Sequence, residues 1–158
     1  MERGTTLFLK LTVIVMGLPV LAFGVLALPR ITVEAADYFP SYAAYAVSAL
    51  MYASAIPFYG ALYQAFRLLT YIDKNQAFSD LSVTALRNIK RCAGAICVLY
   101  AASLPFLFIM AEFDDAPGLV GVGVFPGFAS MVIGVFAAVL QRLLKSAIDI
   151  KTENDLTV

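Results

Sequence analysis

The sequence contains no histidine and no tryptophan, and it is poor in charge and in cysteine. Without histidine it lacks the usual general base of nucleophilic catalysis and the commonest nitrogen ligand of zinc. The two cysteines, Cys92 and Cys97, fit neither a disulfide scaffold nor a zinc site. No glycine-rich loop precedes a lysine, as phosphate binding would require. We therefore expect no enzymatic activity, no cofactor and no metal.

The composition is that of a protein that lies in lipid. Of 158 residues, 61% are apolar and 14% are charged, and the mean hydropathy is +0.86. A soluble domain is roughly half apolar and a quarter charged. The formal net charge is zero, which gives no indication of a nucleic-acid partner. The composition therefore predicts an integral membrane protein that contacts the lipid bilayer, and we expect no direct nucleic-acid binding.

Four apolar stretches are long enough to cross a bilayer, which takes about 20 residues. They cover approximately residues 11–28, 42–66, 92–111 and 119–140, and none contains Asp, Glu, Lys or Arg. The first is not expected to be a cleaved signal peptide, because Leu28-Pro29-Arg30 is not a small-x-small cleavage site. The prediction is an all-α membrane protein, a single domain over residues 1–158 with four transmembrane helices in an antiparallel bundle.

The basic residues predict the orientation of these helices. The amino-terminal segment, the connection between the second and third spans, and the tail together hold ten Lys and Arg residues, whereas the other two connections hold only Arg30. Cytoplasmic loops retain Lys and Arg. Both termini and the middle loop are therefore predicted to be cytoplasmic.

The predicted cytoplasmic parts are a hairpin, residues 67–91, and a tail, residues 141–158. Apolar residues at helical spacing continue past the second span and begin again before the third, with Ser79 as a predicted N-cap. Leu140, Leu144 and Ala147 continue the pattern after the fourth span. Helices 2, 3 and 4 are thus expected to extend into the cytoplasm, as a solvated hairpin or as a docking surface. The end of the tail is either disordered or a short strand that pairs with another segment.

The second span carries a face of tyrosines. Tyr45, Tyr52 and Tyr59 are spaced by seven residues and share one side of a helix, and Tyr63 follows them. Such a face either packs into the bundle or lines a pocket for a small apolar or amphiphilic ligand. In the fourth span, Gly123 and Gly127 permit close helix packing. This pair serves packing within the monomer or, alternatively, a homo-oligomer.

Three segments resemble a known family. They are KNQAFSDLSVTALRNIKRCA at 74–93, IMAEFDDAPG at 109–118 and AAVLQRLLKSAIDIKTENDLTV at 137–158. These segments are similar to those of the YoaS-like family of small bacterial membrane proteins, domain of unknown function 2975. The resemblance implies four helices in the bacterial cell membrane and no known catalytic residue. It also implies that the gene often lies beside that of a small helix-turn-helix regulator of the Cro/C1 type, which suggests a membrane protein that sequesters or modulates this regulator.

Two functional hypotheses follow. In the first, the protein binds or sequesters such a regulator, without enzymatic activity, through residues of the loop and the tail: Lys74, Asn75, Gln76, Phe78, Ser79, Glu153, Asn154, Asp155 and Leu156. The loop offers an aromatic anchor, and the tail offers carboxylates for a basic partner. In the alternative, the protein is a sensor or transporter of a small molecule or amphiphile, and its pocket is formed by Tyr45, Tyr52, Tyr59 and Tyr63.

Overall fold

The computed structural model describes residues 3–156 and is helical throughout, with no strand in that range. Four of its helical stretches are long and apolar enough to cross a membrane. In chain order the elements are α1 (Arg3–Ala22), a π-helical turn (Phe23–Ala27), α2 (Leu28–Tyr38), α3 (Ser41–Asp73), α4 (Asp80–Asp114), a 3₁₀ turn (Pro117–Val120) and α5 (Gly121–Leu156). The all-α, four-span prediction is confirmed.

The first membrane helix is longer than its predicted span, because α1, the π-helical turn and α2 are continuous. Within this turn the Leu28 amide donates to the Phe23 carbonyl, five residues earlier. In the same register the next amide would meet the Gly24 carbonyl, but residue 29 is a proline without an N–H. The Tyr52 hydroxyl of α3 donates to Gly24 O instead, at 2.7 Å. The expected first connection is therefore mostly helix, and only Phe39 and Pro40 separate α2 from α3.

Helices α3 and α4 both end on a residue with left-handed backbone geometry. After α3, Asn75 has φ 60°, its amide donates to Ile72 O, and the Gln76 amide donates to Tyr71 O. After α4, Asp115 has φ 49° and the Ala116 amide donates to Ala111 O. These are the hydrogen bonds of a Schellman motif, which satisfies the last helical carbonyls. Asn and Asp tolerate this conformation better than other non-glycine residues.

The helices pack in the order α1–α3–α4–α5, since α1 and α2 lie mainly against α3, and α5 lies mainly against α4. Glycine sets the distance between α4 and α5. A Cβ on Gly123 would lie 2.8 Å from Leu107 Cδ1 and 3.0 Å from Ser103 Oγ, so the two helices touch at this level. A Cβ on Gly127 would lie 3.4 Å from Tyr100 Cβ, which is close to an ordinary contact. The predicted close packing at the Gly123–Gly127 pair thus occurs within the monomer.

The bundle has two chemically different ends. We call the end with Glu34, Asp37, Glu112, Asp114 and Asp115 the acidic end, and the end with Lys10, Arg67, Lys74, Arg87 and Lys145 the basic end. At 1.5 Å per residue, α3, α4 and α5 are each about 50 Å long, against a hydrocarbon core of about 30 Å. Since the apolar spans lie toward the acidic end, the excess length projects at the basic end.

Candidate functional site

The loop between α3 and α4 brings an aromatic side chain to the surface of the basic end. It follows the Schellman motif at Asn75 and ends at Ser79, which occupies the N-cap position of α4. The Ser79 hydroxyl does not cap the helix. It donates to the Gln76 carbonyl at 2.5 Å, and the Ser82 hydroxyl donates to the same carbonyl at 3.1 Å. These bonds fix the loop so that Phe78 stands on its outer side with 56% of its surface exposed.

The end of α5 runs beside this loop. The segment that was expected to be disordered or a short strand is helical as far as Leu156, and Thr157 and Val158 lie outside the described residues. Phe78 lies between two adjoining grooves of about 420 Å³ each. The first is apolar and is lined by Leu68, Ile72, Ala77, Phe78, Leu86, Leu140, Leu143, Leu144 and Ala147. The second is lined by Phe78, Ala147, Ile150, Lys151, Asn154 and Asp155.

The structure brings part of the predicted partner surface together. Phe78 of the loop and Asn154 and Asp155 of the tail line the same groove. Lys74, Asn75 and Gln76 are exposed on the loop beside it, and Ser79 is half-buried. Glu153 and Leu156 are exposed on the last turn of α5 outside the groove. The apolar floor of the grooves was not among the predicted site residues, although the spacing of Leu140, Leu144 and Ala147 indicated it.

Several cations of the basic end are held by neighbouring side chains. Lys10 Nζ of α1 lies 3.1 Å from Asp73 Oδ2 at the end of α3, and it also lies 5.3 Å from the centre of the Phe66 ring. The Arg67 guanidinium lies between the rings of Tyr63 and Tyr71, within 6 Å of each centre. The ion pair joins the first membrane helix to α3 at the edge of the candidate surface.

Inside the apolar region, the tyrosine face of α3 mainly joins α3 to the first helix. The Tyr59 hydroxyl donates to Gly17 O at 2.8 Å, and Tyr52 donates to Gly24 O. A Cβ on Gly17 would lie 3.3 Å from the Tyr59 ring, so glycine allows this approach. Tyr45 and Tyr63 are exposed. Of the four tyrosines predicted to line a pocket, only Tyr52 lines the cavity between the membrane helices that is described next.

This cavity lies among all four membrane helices and has a volume of about 610 Å³. Its walls include Val20 and Gly24 of the first helix, Ala61 of α3, Tyr100 of α4 and Ser130 of α5. None of its lining residues is Asp, Glu, Lys or Arg. Within residues 3–156 no group of His, Cys, Asp or Glu is placed to hold a metal ion.

Comparisons with known proteins agree with this architecture. The family described as "Protein of unknown function (DUF2975)" matches residues 8–158. The "Uncharacterized membrane protein YoaS" of Bacillus subtilis (strain 168) is 56% identical over 160 residues, an alignment that covers the whole of both chains. No solved structure matches the chain. The match to the family spans nearly the whole sequence, and the chain therefore belongs to the DUF2975 family of membrane proteins.

Proposed function

We propose that this protein binds a soluble partner, a small helix-turn-helix regulator, at its basic end and thereby holds the partner at the membrane without enzymatic activity. The proposal places the basic end and both termini in the cytoplasm, since ten of the eleven Lys and Arg residues lie on that side of the spans. The protein then acts as a binding component of the bacterial cell membrane.

The observation that carries the proposal is a set of exposed apolar side chains beyond the membrane. In the spans, exposed apolar residues face lipid and need no other cover. Phe78, Ile150 and Leu156 are 56%, 59% and 81% exposed, yet they lie on the projecting part of the bundle, where the solvent is water. Leu156 is about 24 Å along α5 from Leu140, the end of the predicted fourth span. Phe78 and Ile150 line the same groove, and neighbouring apolar residues that are exposed to water typically mark a protein-binding site.

The charges beside these residues suit a basic partner. Although this end as a whole is rich in Lys and Arg, the last two turns of α5 present Asp149, Glu153 and Asp155 to solvent and carry a single basic residue, Lys151. DNA-binding proteins carry a basic surface for the phosphate backbone, and such a surface is attracted to exposed carboxylates. An aromatic anchor ringed by polar groups is typical of the residues that dominate binding energy. The class of regulator itself rests on the resemblance described above, and the exposed groove beside Phe78 supports the choice of this surface.

The experiment is co-purification from bacterial membranes in mild detergent. We expect a small DNA-binding protein, identified by mass spectrometry, to accompany the intact chain. It should be lost from a chain truncated after Ile150 and at least tenfold reduced with Phe78→Ser, while both variants still insert in the membrane. Phe113→Ser is the matched control, because Phe113 is 59% exposed at the opposite end. Unchanged co-purification with the first two variants, or no regulator with the intact chain, would remove this assignment.

A second candidate function, sensing or transport of an amphiphile, is favoured by one observation, the cavity among the membrane helices that Tyr52 lines. The hydroxyl of Tyr52 is already bonded to Gly24 O. Tyr52 would therefore contact a ligand through its ring and not through its hydroxyl. The other three predicted tyrosines do not line the cavity. A bound amphiphile should raise the melting temperature of the purified protein. If no amphiphile raises it, whatever the head group, this candidate is contradicted.

A further inference from the structure

We infer that the cavity is a binding site for one neutral, single-chain lipid amphiphile with a hydroxyl head group, taken up from the surrounding bilayer. The inference deepens the second candidate function and does not depend on the binding of a regulator. It rests on the size of the cavity, the distribution of polar groups along it and its position between helices.

The size and shape fit one chain. Its volume of about 610 Å³ lies within the range of about 300–1,000 Å³ that is usual for small-molecule sites. Along α3 the lining residues run from Met51 to Ala65, a distance of about 21 Å at 1.5 Å per residue. An elongated cavity of this volume takes one extended alkyl chain more readily than a compact or two-chain molecule.

The polar groups lie at one end of the cavity. Tyr52, Ser54, Tyr100 and Ser130 carry hydroxyls and belong to the half that is nearer the acidic end. Toward the basic end the walls are apolar, with Phe58 and Leu62 of α3 among them. A ligand that matches both halves has a small polar head toward the acidic end and an apolar chain toward the basic end.

The hydroxyls can accommodate a ligand group. Ser54 donates its single hydroxyl proton to Met51 O at 2.7 Å. The distance from Ser54 Oγ to the Tyr100 hydroxyl oxygen is 3.5 Å, which is the outer limit of a hydrogen bond. The hydroxyl proton of Tyr100 is therefore available for a hydrogen bond of ordinary length to a ligand. A ligand hydroxyl can accept from Tyr100 and donate in turn to a neighbouring oxygen such as that of Ser130, which is 9% exposed.

The lining also selects against charge. No basic side chain lines the cavity to pair with a carboxylate or phosphate, and no acidic one lines it to pair with an amine. Moving an unpaired charge into such a site costs several kcal/mol, whereas a hydroxyl is satisfied by the groups present. A neutral head group is therefore preferred over an ionised one of the same chain length.

The position of the cavity gives the route of entry. Residues of α1 and of α5 both line it, yet α1 lies mainly against α3, and α5 lies mainly against α4. The space between α1 and α5 is thus the side where the bundle is least closed. Because this side lies within the apolar spans, the ligand enters laterally from lipid and never has to pass through water.

The test uses the full chain in detergent micelles with three probes of equal chain length: hexadecanol, hexadecane and palmitate at neutral pH. Native mass spectrometry counts bound probe, and thermal unfolding reports stabilisation. We expect one hexadecanol per chain with a raised melting temperature, and at least tenfold weaker retention of the other two probes. Tyr100→Phe should weaken the binding of hexadecanol by about 2- to 10-fold, which is the effect of losing one hydrogen bond.

A second variant separates the site from non-specific lipid binding. Ala61→Phe places a ring in the cavity and should abolish retention, whereas Ala101→Phe, on the exposed side of α4, should not. Equal retention of all three probes, or hexadecanol retained by Ala61→Phe, would overturn the inference, and so would no retention by the unmodified chain. Regulator co-purification should be the same with Ala61→Phe, so this inference and the partner-binding proposal fail separately.

Discussion

The two ends of the bundle differ in how they cover their apolar side chains. At the acidic end, Ala43 and Val47 of α3 pack against Leu107 and Met110 of α4, and all four are buried. Tyr38 packs edge to face against Phe39 and Phe113, which lie at a tilted angle to each other, and the Tyr38 hydroxyl donates to Asp114 Oδ1 at 2.6 Å. Connections here are short. This end is closed by its own residues.

The basic end is open by comparison. Helix α5 runs to Leu156 beside the α3–α4 loop, and the grooves beside Phe78 expose an apolar floor. At this end an ion pair between Lys10 and Asp73 joins the first helix to α3. The comparison indicates that the acidic end stabilises the bundle, whereas the basic end exposes an apolar surface. Perturbations at the two ends should therefore affect different properties.

The largest effect on folding is expected at the closed end, from Gly123→Leu. The added side chain would start less than 3 Å from atoms of Leu107 and Leu104 and would force α4 and α5 apart. We expect the free energy of unfolding to fall by about 3 kcal/mol or more, which is the upper end of the cost that is typical of overpacking. Thermal unfolding in micelles measures it. Gly94→Leu is the control, since a Cβ there meets nothing within 4 Å, and an equal loss in both variants would contradict the packing account.

A smaller effect is expected at the open end from Lys10→Met, which leaves Asp73 without this partner. The side chains of the pair are 19% and 22% exposed, so the loss should lie between that of a surface ion pair and that of a charged hydrogen bond, about 1–2 kcal/mol. The double variant Lys10→Met/Asp73→Asn should lose less than the sum of the single variants, because each single variant removes the same ion pair. Strict additivity would show that the pair contributes nothing to the attachment of the first helix.

The smallest effect is expected from Tyr38→Phe at the acidic end, and it should depend on pH. The hydrogen bond to Asp114, followed by the negative charge of that carboxylate, raises the pKa of Tyr38 above its ordinary value. A raised folded-state pKa means that the stabilisation is complete below the unfolded pKa of about 10 and is lost as the pH rises through the folded-state pKa. Unfolding of both proteins from neutral to alkaline pH measures this, and a stability difference that grows with pH would contradict the assignment.

The elements that follow from strong local signals could be predicted from the sequence. The apolar spans predicted the four helices, and the apolar pattern breaks at Asp73-Lys74-Asn75-Gln76, where the structure has the turn after α3 with Asn75 in left-handed geometry. The helix of residues 28–38 was missed since its charges resemble a connection, although Pro29 near its start is typical of a helix amino terminus. The extension of the helix into the end of the tail was missed because apolar residues are sparse there, although this segment contains no Gly or Pro to end the helix.

The candidate sites were predicted less well, for a physical reason. Phe78 meets Asn154 and Asp155 because the close contact at Gly123 fixes the register of α5 against α4, about 30 residues away along the helix. The cavity depends on where the first helix lies against α3, and the Tyr52 and Tyr59 hydrogen bonds join these two helices. Distances of this kind come from packing between helices, and no local pattern in the sequence carries them.

The most direct test of the account compares the two ends in living cells. A photoreactive phenylalanine analogue replaces Phe78 in one protein and Phe113 in another, positions of nearly equal exposure at opposite ends. The account predicts that irradiation joins a small DNA-binding protein to position 78 and not to position 113. A cross-link to that protein from position 113, a cross-link from position 78 only to a second copy of the chain, or none from position 78 would contradict it.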